Sequence, residues 1–381
     1  MKLTTVLLLV GGALAGSLSD PLEKHTIKAD GIEASFIGYG ARLTNLYVND
    51  KDCKKRDIAL GYDEGQHYVQ DTATEHTNYG AVVGRYANRI KNSTFTIDGN
   101  KYTVEANEHD GKNTLHGGKV GYDQRNWTVS ALNDTTITFM LEDDGFEGFP
   151  GKVVTYATYT VEGADANPFG NPTLTTSLVS VSLEQRTPIM LSNHIYWNLN
   201  GFEAEDGTVL EDTFHLPYAS RYVKTDSILI PTGEIGMVKD TPTLDFTKAK
   251  TIGKDIKEAK GLCGDGCTGY DNAFINDVAD KYATSLSLSS KTSGIRMDIK
   301  TNQAGYQIYT CDNMNSTIPI KKDQLYGRDE FKVPQYGCIV IEPQDWIDGI
   351  NHPEWGRSEY QIFGPESGPS VNYARYEFST L

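Results

Sequence analysis

Five short stretches of this 381-residue chain set an ionisable side chain among apolar or small neighbours. His194 lies in Ser192-Asn-His-Ile-Tyr-Trp-Asn-Leu199, among aromatic and aliphatic residues, and Glu342 closes the apolar run Gly337-Cys-Ile-Val-Ile-Glu342. His116 precedes Gly117 and Gly118, where backbone or a ligand can approach closely. Arg85 and Arg89 interrupt the small, apolar run Gly84–Ile90, and Asp271 sits between Tyr270 and Phe274. An imidazole and a carboxylate, with reference pKa values of about 6.5 and 4.3, suit general acid–base chemistry near neutral pH. Each residue alone has a plainer reading. A lone histidine or strand-end carboxylate more often satisfies a structural hydrogen bond, and an arginine in a β-protein often pairs with a carboxylate at the core edge.

Other chemistries find little support. Gly264-Asp-Gly-Cys-Thr-Gly269 spells G-x-G-x-x-G, but it follows a Lys-rich polar stretch and no helix opens after it. There is no P-loop, no G-x-S-x-G elbow and no H-E-x-x-H pair, and the eight histidines are dispersed. Neither a cofactor nor a catalytic metal is expected. Thirty-five basic against 51 acidic residues give a formal charge of −16, which argues against nucleic acid or an anionic membrane as partner. The same balance disfavours a phosphorylated substrate.

The elements that must position these residues read as strands. Apolar–polar alternation with Val, Thr, Tyr and Ile enrichment predicts strands at Lys152–Val161, Thr173–Leu183, Ser285–Ser289, Ile295–Lys300, Tyr306–Cys311, Cys338–Glu342 and Tyr373–Phe378. Turn residues separate them at Asp98-Gly99-Asn100, Asp143-Asp144-Gly145 and Ser293-Gly294. The nearest approach to a helix is Thr251–Lys260, short and polar. The 22 tyrosines suit strands and sugar-stacking surfaces. With no repeat, charge block or linker, residues 16–381 are expected to form one all-β domain, a large antiparallel β-sandwich with a ligand groove on a sheet face.

Taken in order, these segments resemble the signature stretches of the aldose 1-epimerase (galactose mutarotase) family along nearly the whole chain. The likeness runs through Gly80-Ala-Val-Val-Gly-Arg-Tyr-Ala-Asn-Arg-Ile90, Leu115-His-Gly-Gly118 with Trp127, and Asp144-Gly-Phe-Glu-Gly-Phe-Pro-Gly151. It continues in Asn193-His-Ile-Tyr-Trp-Asn-Leu199, Leu229-Ile-Pro-Thr-Gly-Glu-Ile235, Tyr270-Asp271 and Gln307-Ile-Tyr-Thr310. It closes with Glu342-Pro-Gln344, Asp348 and Asn351-His-Pro353. The resemblance implies a β-supersandwich with an open sugar groove and exchange of the α and β anomers of a free aldose. It assigns His194 as general acid, Glu342 as general base, and Asn88, Arg89, His116, Asp271 and Gln307 as holders of the monosaccharide. Trp197 or nearby tyrosines are expected to stack on the sugar. Departures fall at Ile195, Trp197, Asn200, Cys311 and Ile347, and they bear on sugar preference. The sequence leaves three rivals: a non-catalytic sugar-binding module, a phosphosugar mutarotase, and a glycosidase using Asp271 with Glu342.

Residues Met1–Ala15 read as a secretory signal peptide, whose removal with Lys2 takes the formal charge from −16 to −17. Asn-x-Ser/Thr acceptors at Asn92, Asn126, Asn133 and Asn315 support a secreted glycoprotein. Cys263 and Cys267 lie in a tight loop able to close a local disulfide. The pairing among these, Cys53, Cys311 and Cys338 stays open, and an odd count leaves one thiol over. The oligomeric state, monomer or homodimer, is also open.

Overall fold

A computed structural model describes residues 20–168 and 170–381. The segment Met1–Ala15, expected to be a signal peptide, lies outside the described residues.

Strands dominate, as the period-two pattern requires. The largest sheet has nine antiparallel strands, in spatial order Thr128–Leu132, Thr136–Asp144, Lys152–Glu162, Thr173–Ser182, Ser370–Thr380, Ile295–Thr301, Leu286–Ser289, Thr213–His215 and Lys250–Thr251. Along Lys152–Glu162 buried residues alternate with partly exposed ones. The buried parity, Val153, Ala157, Tyr159 and Val161, enters the core, and the other parity presents Thr and Tyr outward. One end of the inner face is covered by a four-stranded sheet spanning His25–Asp57, where Phe36 meets Tyr159 with ring centroids 4.5 Å apart. The other end is covered by a six-stranded sheet ordered Tyr196–Trp197, Ile339–Gln344, Gly305–Tyr309, Asp271–Ile275, Arg221–Thr225 and Pro231–Met237. The core runs without a break from Ile27 to Phe378.

Strand ends differ from the sequence expectation by up to three residues, and within the six-stranded sheet Gly305–Tyr309 and Ile339–Gln344 correspond to predicted strands while the other four do not. All of Ile339–Gln344 is buried, so no solvent face imposes alternation on it. The helical turns at Ile252–Glu258 fall within the predicted Thr251–Lys260, while the short helix Gly65–Thr72 carries no apolar stripe that would announce it. Among the described residues no helix is long and apolar enough to cross a membrane.

Trp197 corrects the stacking expectation. Its ring packs between the sheets against Tyr376 and Phe378, with centroids 5.3 and 6.4 Å away, and is fully buried. In a strand, neighbouring side chains take opposite faces, so Tyr196 points to the groove and Trp197 to the core. Two disulfides form, Cys263–Cys267 and Cys311–Cys338, and Cys53 is the exposed free thiol among the described residues. Cys311 is therefore held in a bridge with no exposure, and does not line the groove.

Candidate active site

The site lies on the face of the six-stranded sheet turned away from the nine-stranded one. Parity along Ile339–Gln344 sends Ile339 and Ile341 into the core and Glu342 to the opposite face. Register does the rest. Gln307 stands directly opposite Glu342, and Asp271 lies one strand further on, opposite Tyr309. Gln307 Nε2 donates to Asp271 Oδ1 at 2.5 Å, which joins these two side chains across adjacent strands.

His194 arrives from another element. Ser192–His194 pairs with Ala81–Val83, with His194 opposite Ala81. Ser192 Oγ donates to the Pro343 carbonyl at 3.0 Å, and Asn372 Nδ2 donates to the same oxygen at 2.7 Å. These bonds lock the histidine's strand beside the glutamate's. The outcome is His194 Nε2 standing 3.4 Å from Glu342 Oε1, with both side chains almost fully buried.

His116 completes the cluster, its ring edge-on to His194 with centroids 5.2 Å apart. Its Nδ1 accepts from the Asn88 backbone N–H at 3.1 Å, while the His116 backbone N–H donates to the Asn88 carbonyl at 3.1 Å. With Nδ1 occupied as acceptor, the neutral ring carries its proton on Nε2 and is a donor there. Gly117, at φ +92°, lets this loop press on the Gly84 carbonyl, since a Cβ there would collide with that oxygen. Asn88 thus acts first through its backbone and through Oδ1, which accepts from the Arg89 N–H at 2.9 Å. The amide nitrogen of its side chain remains for a ligand.

The structure gives the two arginines of this run different partners. Arg85 is structural: its Nε donates to Asp143 Oδ2 at 2.8 Å and its Nη1 to the carbonyls of Pro150 and Gly151. Arg89 turns to the groove, where its charge is felt by Asp271 and Glu342. All seven residues singled out by sequence thus converge on one place. Glu108, which grips Arg89, went unnoticed because an acidic residue in a polar loop carries no signal of its own.

Burial decides the charge state. It pushes the Glu342 carboxyl well above its ordinary value, and Asp271 adds to the rise while Arg89 opposes it. Burial pushes the His194 imidazole down to about 3. Burial and the neighbouring His194 hold His116 neutral, and burial raises Asp271. The order expected from reference values is thereby reversed: burial favours a proton on Glu342 over one on His194, because two charges in a buried cluster cost more than none. The pair still holds a single transferable proton. Buried Glu342 Oε2 and Gln307 Oε1 have no hydrogen-bond partner in the protein, as suits acceptors kept for a hydroxylated ligand.

A pH profile follows from these directions. Adding a second proton to the pair requires titrating His194, lowered to about 3, and losing the only one requires titrating the raised Glu342. We therefore expect the acid limb of kcat/KM to lie below the ordinary carboxylate value of about 4.3, because it reports the lowered His194. Background-corrected polarimetry on the acid side checks it, and an acid limb at or above that value contradicts it.

His116, His194 and Glu342 place ligating atoms within 4.8 Å of one another, a spacing that would suit a cation. The Nδ1 of His116 is already taken and its Nε2 bears a proton, so this ring is poorly prepared as a ligand. In the second such cluster, Cys263, Cys267 and Asp312, the two sulfurs are bonded to each other and offer no thiolate.

An imidazole and a carboxyl facing one space, ringed by amide, carboxylate and guanidinium groups on a β-sandwich, define an acid–base site for a polyhydroxylated ligand. Comparison with known proteins agrees. The aldose 1-epimerase family profile matches residues 23–362. A probable aldose 1-epimerase of Arthroderma benhamiae is 51% identical over 388 residues, covering 96% of this chain and 88% of that protein. The galactose mutarotase of Bos taurus is 31% identical over 334 residues and 88% of each chain. Among solved structures, the GalM/aldose epimerase homologue from C. elegans aligns at TM-score 0.77 and 27% identity, over 94% of this chain and all of that one. The galactose 1-epimerase from Lactobacillus acidophilus NCFM, at TM-score 0.69 and 21% identity over 94% and 99% of the two chains, shares the fold. The chain belongs to the aldose 1-epimerase family, and its class is that of carbohydrate epimerases.

Proposed function

We propose that the protein interconverts the α and β anomers of a free aldose such as galactose or glucose, with Glu342 as general base and His194 as general acid. The observation that carries this reading is the 3.4 Å approach of His194 Nε2 to Glu342 Oε1 inside a cluster of sugar-holding groups. Ring opening removes the proton from the C1 hydroxyl and delivers one to the ring oxygen. Starting from carboxylate and imidazolium, that double transfer ends with a neutral acid and a neutral imidazole. Burial favours this neutral pair, so the site's low polarity drives the step that breaks the hemiacetal. The aldehyde turns about C1–C2, and the same two groups run the transfer backwards to close the ring on the other face. Sugar hydroxyls on Glu342 Oε2 and Gln307 Oε1, together with Arg89, restore the charged pair that begins the cycle. Arg89, His116, Asp271, Asn88 and Gln307 hold the hydroxyls, and Tyr196, whose ring centroid is 5.0 Å from that of His194, forms part of the wall.

Secretion and N-glycosylation belong to the same proposal. Asn92, Asn126, Asn133 and Asn315 are all exposed, and two disulfides suit an oxidising compartment. The deciding experiment takes the protein from the medium of a secretory host and follows the optical rotation of freshly dissolved single anomers of galactose, glucose, xylose and arabinose. At least one should equilibrate faster than its spontaneous rate. Acceleration of none, with sugar still bound, would leave a binding module instead. A drop in apparent mass on removal of N-glycans from the same sample supports glycosylation, and an unchanged mass refutes it.

A further inference from the structure

Arg89 is nearly buried, yet its Nε and Nη2 are spent on one partner outside the sheet. Nε lies 3.0 Å from both Glu108 carboxylate oxygens, and Nη2 lies 2.8 Å from Oε1. Glu108 is carried by the loop between the strands Asn100–Thr103 and Thr114–Leu115. That loop is itself fixed. Asn107 Nδ2 donates to the carbonyls of Leu115 and Gly118 at 3.0 and 2.8 Å, and its Oδ1 accepts from the Leu115 N–H at 2.7 Å. Glu108 and Asn113 exchange backbone bonds at 3.2 and 3.4 Å. Leu115 in turn pairs with Arg89 across a two-residue ladder and precedes His116. The loop therefore braces both the arginine and the histidine of the groove. It also lines, with His76, Asn78 and Asp123, a cavity of about 160 Å³ that opens beside His116.

A guanidinium gripped along its Nε–Nη2 edge presents the remaining Nη1 in one direction, as a planar fork must. We infer that Glu108 is a positioning residue for the epimerase reaction, aiming Arg89 into the sugar groove and offsetting its charge there. This rests on the function proposed above. Arg89 faces Glu108, Asp271, Glu342 and His116, and Glu342 faces His194, His116, Asp271 and Arg89. With Glu108 neutralised, the Arg89 cation has only Asp271 and Glu342 to balance it. It then favours the ionised form of Glu342 and loses its fixed aim at the sugar.

The test is Glu108→Gln, which keeps shape and removes charge. We expect KM to rise about tenfold with kcat within about threefold, since a charge-assisted hold on a hydroxyl is lost in ground and transition state alike. The alkaline limb of kcat/KM should move to lower pH by at least about half a unit, a change that mere loosening of a loop does not produce. Glu105→Gln, which removes the exposed partner of Lys119 on the same loop, should leave KM and the profile unchanged. Adding Glu108→Gln to Arg89→Lys should cost little beyond Arg89→Lys alone, since both act through one guanidinium. Wild-type KM and an unmoved limb in Glu108→Gln, or full additivity in the double variant, would overturn the inference. Calorimetric sugar binding keeps the two ideas apart. A wild type that binds but does not turn over defeats the catalytic reading, while Glu108→Gln must still bind about tenfold more weakly for the inference to stand.

Discussion

Glu342→Gln is expected to abolish catalysed mutarotation while leaving the protein folded. One well-placed acid–base group contributes roughly 10²–10⁴-fold, and here the lost group also carries the proton that the partner must receive back, so a fall of at least about 10³-fold in kcat is expected. Stability should not suffer. Glu342 is 2% exposed, and its Oε2 has no partner in the protein, so a neutral amide of the same shape breaks no protein hydrogen bond at that atom. It also removes an acid whose ionised form burial strongly disfavours, and the melting temperature should stay level or rise. Neither Asp271 nor Gln307 can substitute as base: Asp271 is engaged with Gln307 Nε2, and an amide accepts no proton near neutral pH. Polarimetry on a fresh single anomer, paired with a thermal melt, checks both halves. Turnover within about tenfold of wild type would remove Glu342 from the proposed role.

His194→Asn should fail by a similar margin, about 10²–10⁴-fold, for the reciprocal reason: the ring oxygen loses its proton donor. The pairing of Ser192–His194 with Ala81–Val83 is a backbone matter and survives. The smaller side chain leaves space beside Tyr196 and His116, so a modest loss of about 1–3 kcal/mol in stability is expected. His116 should not rescue activity, because its Nδ1 is committed to Asn88 and its ring is held neutral. The double variant Glu342→Gln/His194→Asn should be no slower than the slower single, since two groups that share one proton act as a unit. Undiminished turnover in His194→Asn, or losses that multiply in the double variant, would show that the two do not work together.

The family's ordered motifs named every residue of the cluster before any fold was known, because a reaction that needs fixed side-chain types keeps them in recognisable words. The strand class was equally legible. Lys152–Glu162 alternates in sequence because one of its faces is wet and the other packed. Ile339–Gln344 shows no such alternation, because both of its faces are covered, so the turn of Glu342 toward the groove was not readable. Trp197 was misplaced for a related reason. Its chemistry suits sugar stacking, but parity with Tyr196 and the sheet lying above it send it into the core.

What the sequence determined by itself is the local part: residue types, strand periodicity, turn chemistry, the five cysteines and the four glycan acceptors. Tertiary structure decided which cysteines pair, that Arg85 is tied to Asp143 while Glu108 holds Arg89, and which member of the acid–base pair burial favours for the proton. These are long-range facts. A side chain's neighbours and its distance from water depend on segments far apart along the chain, and it is that distance from water which exchanges the proton preference of His194 and Glu342.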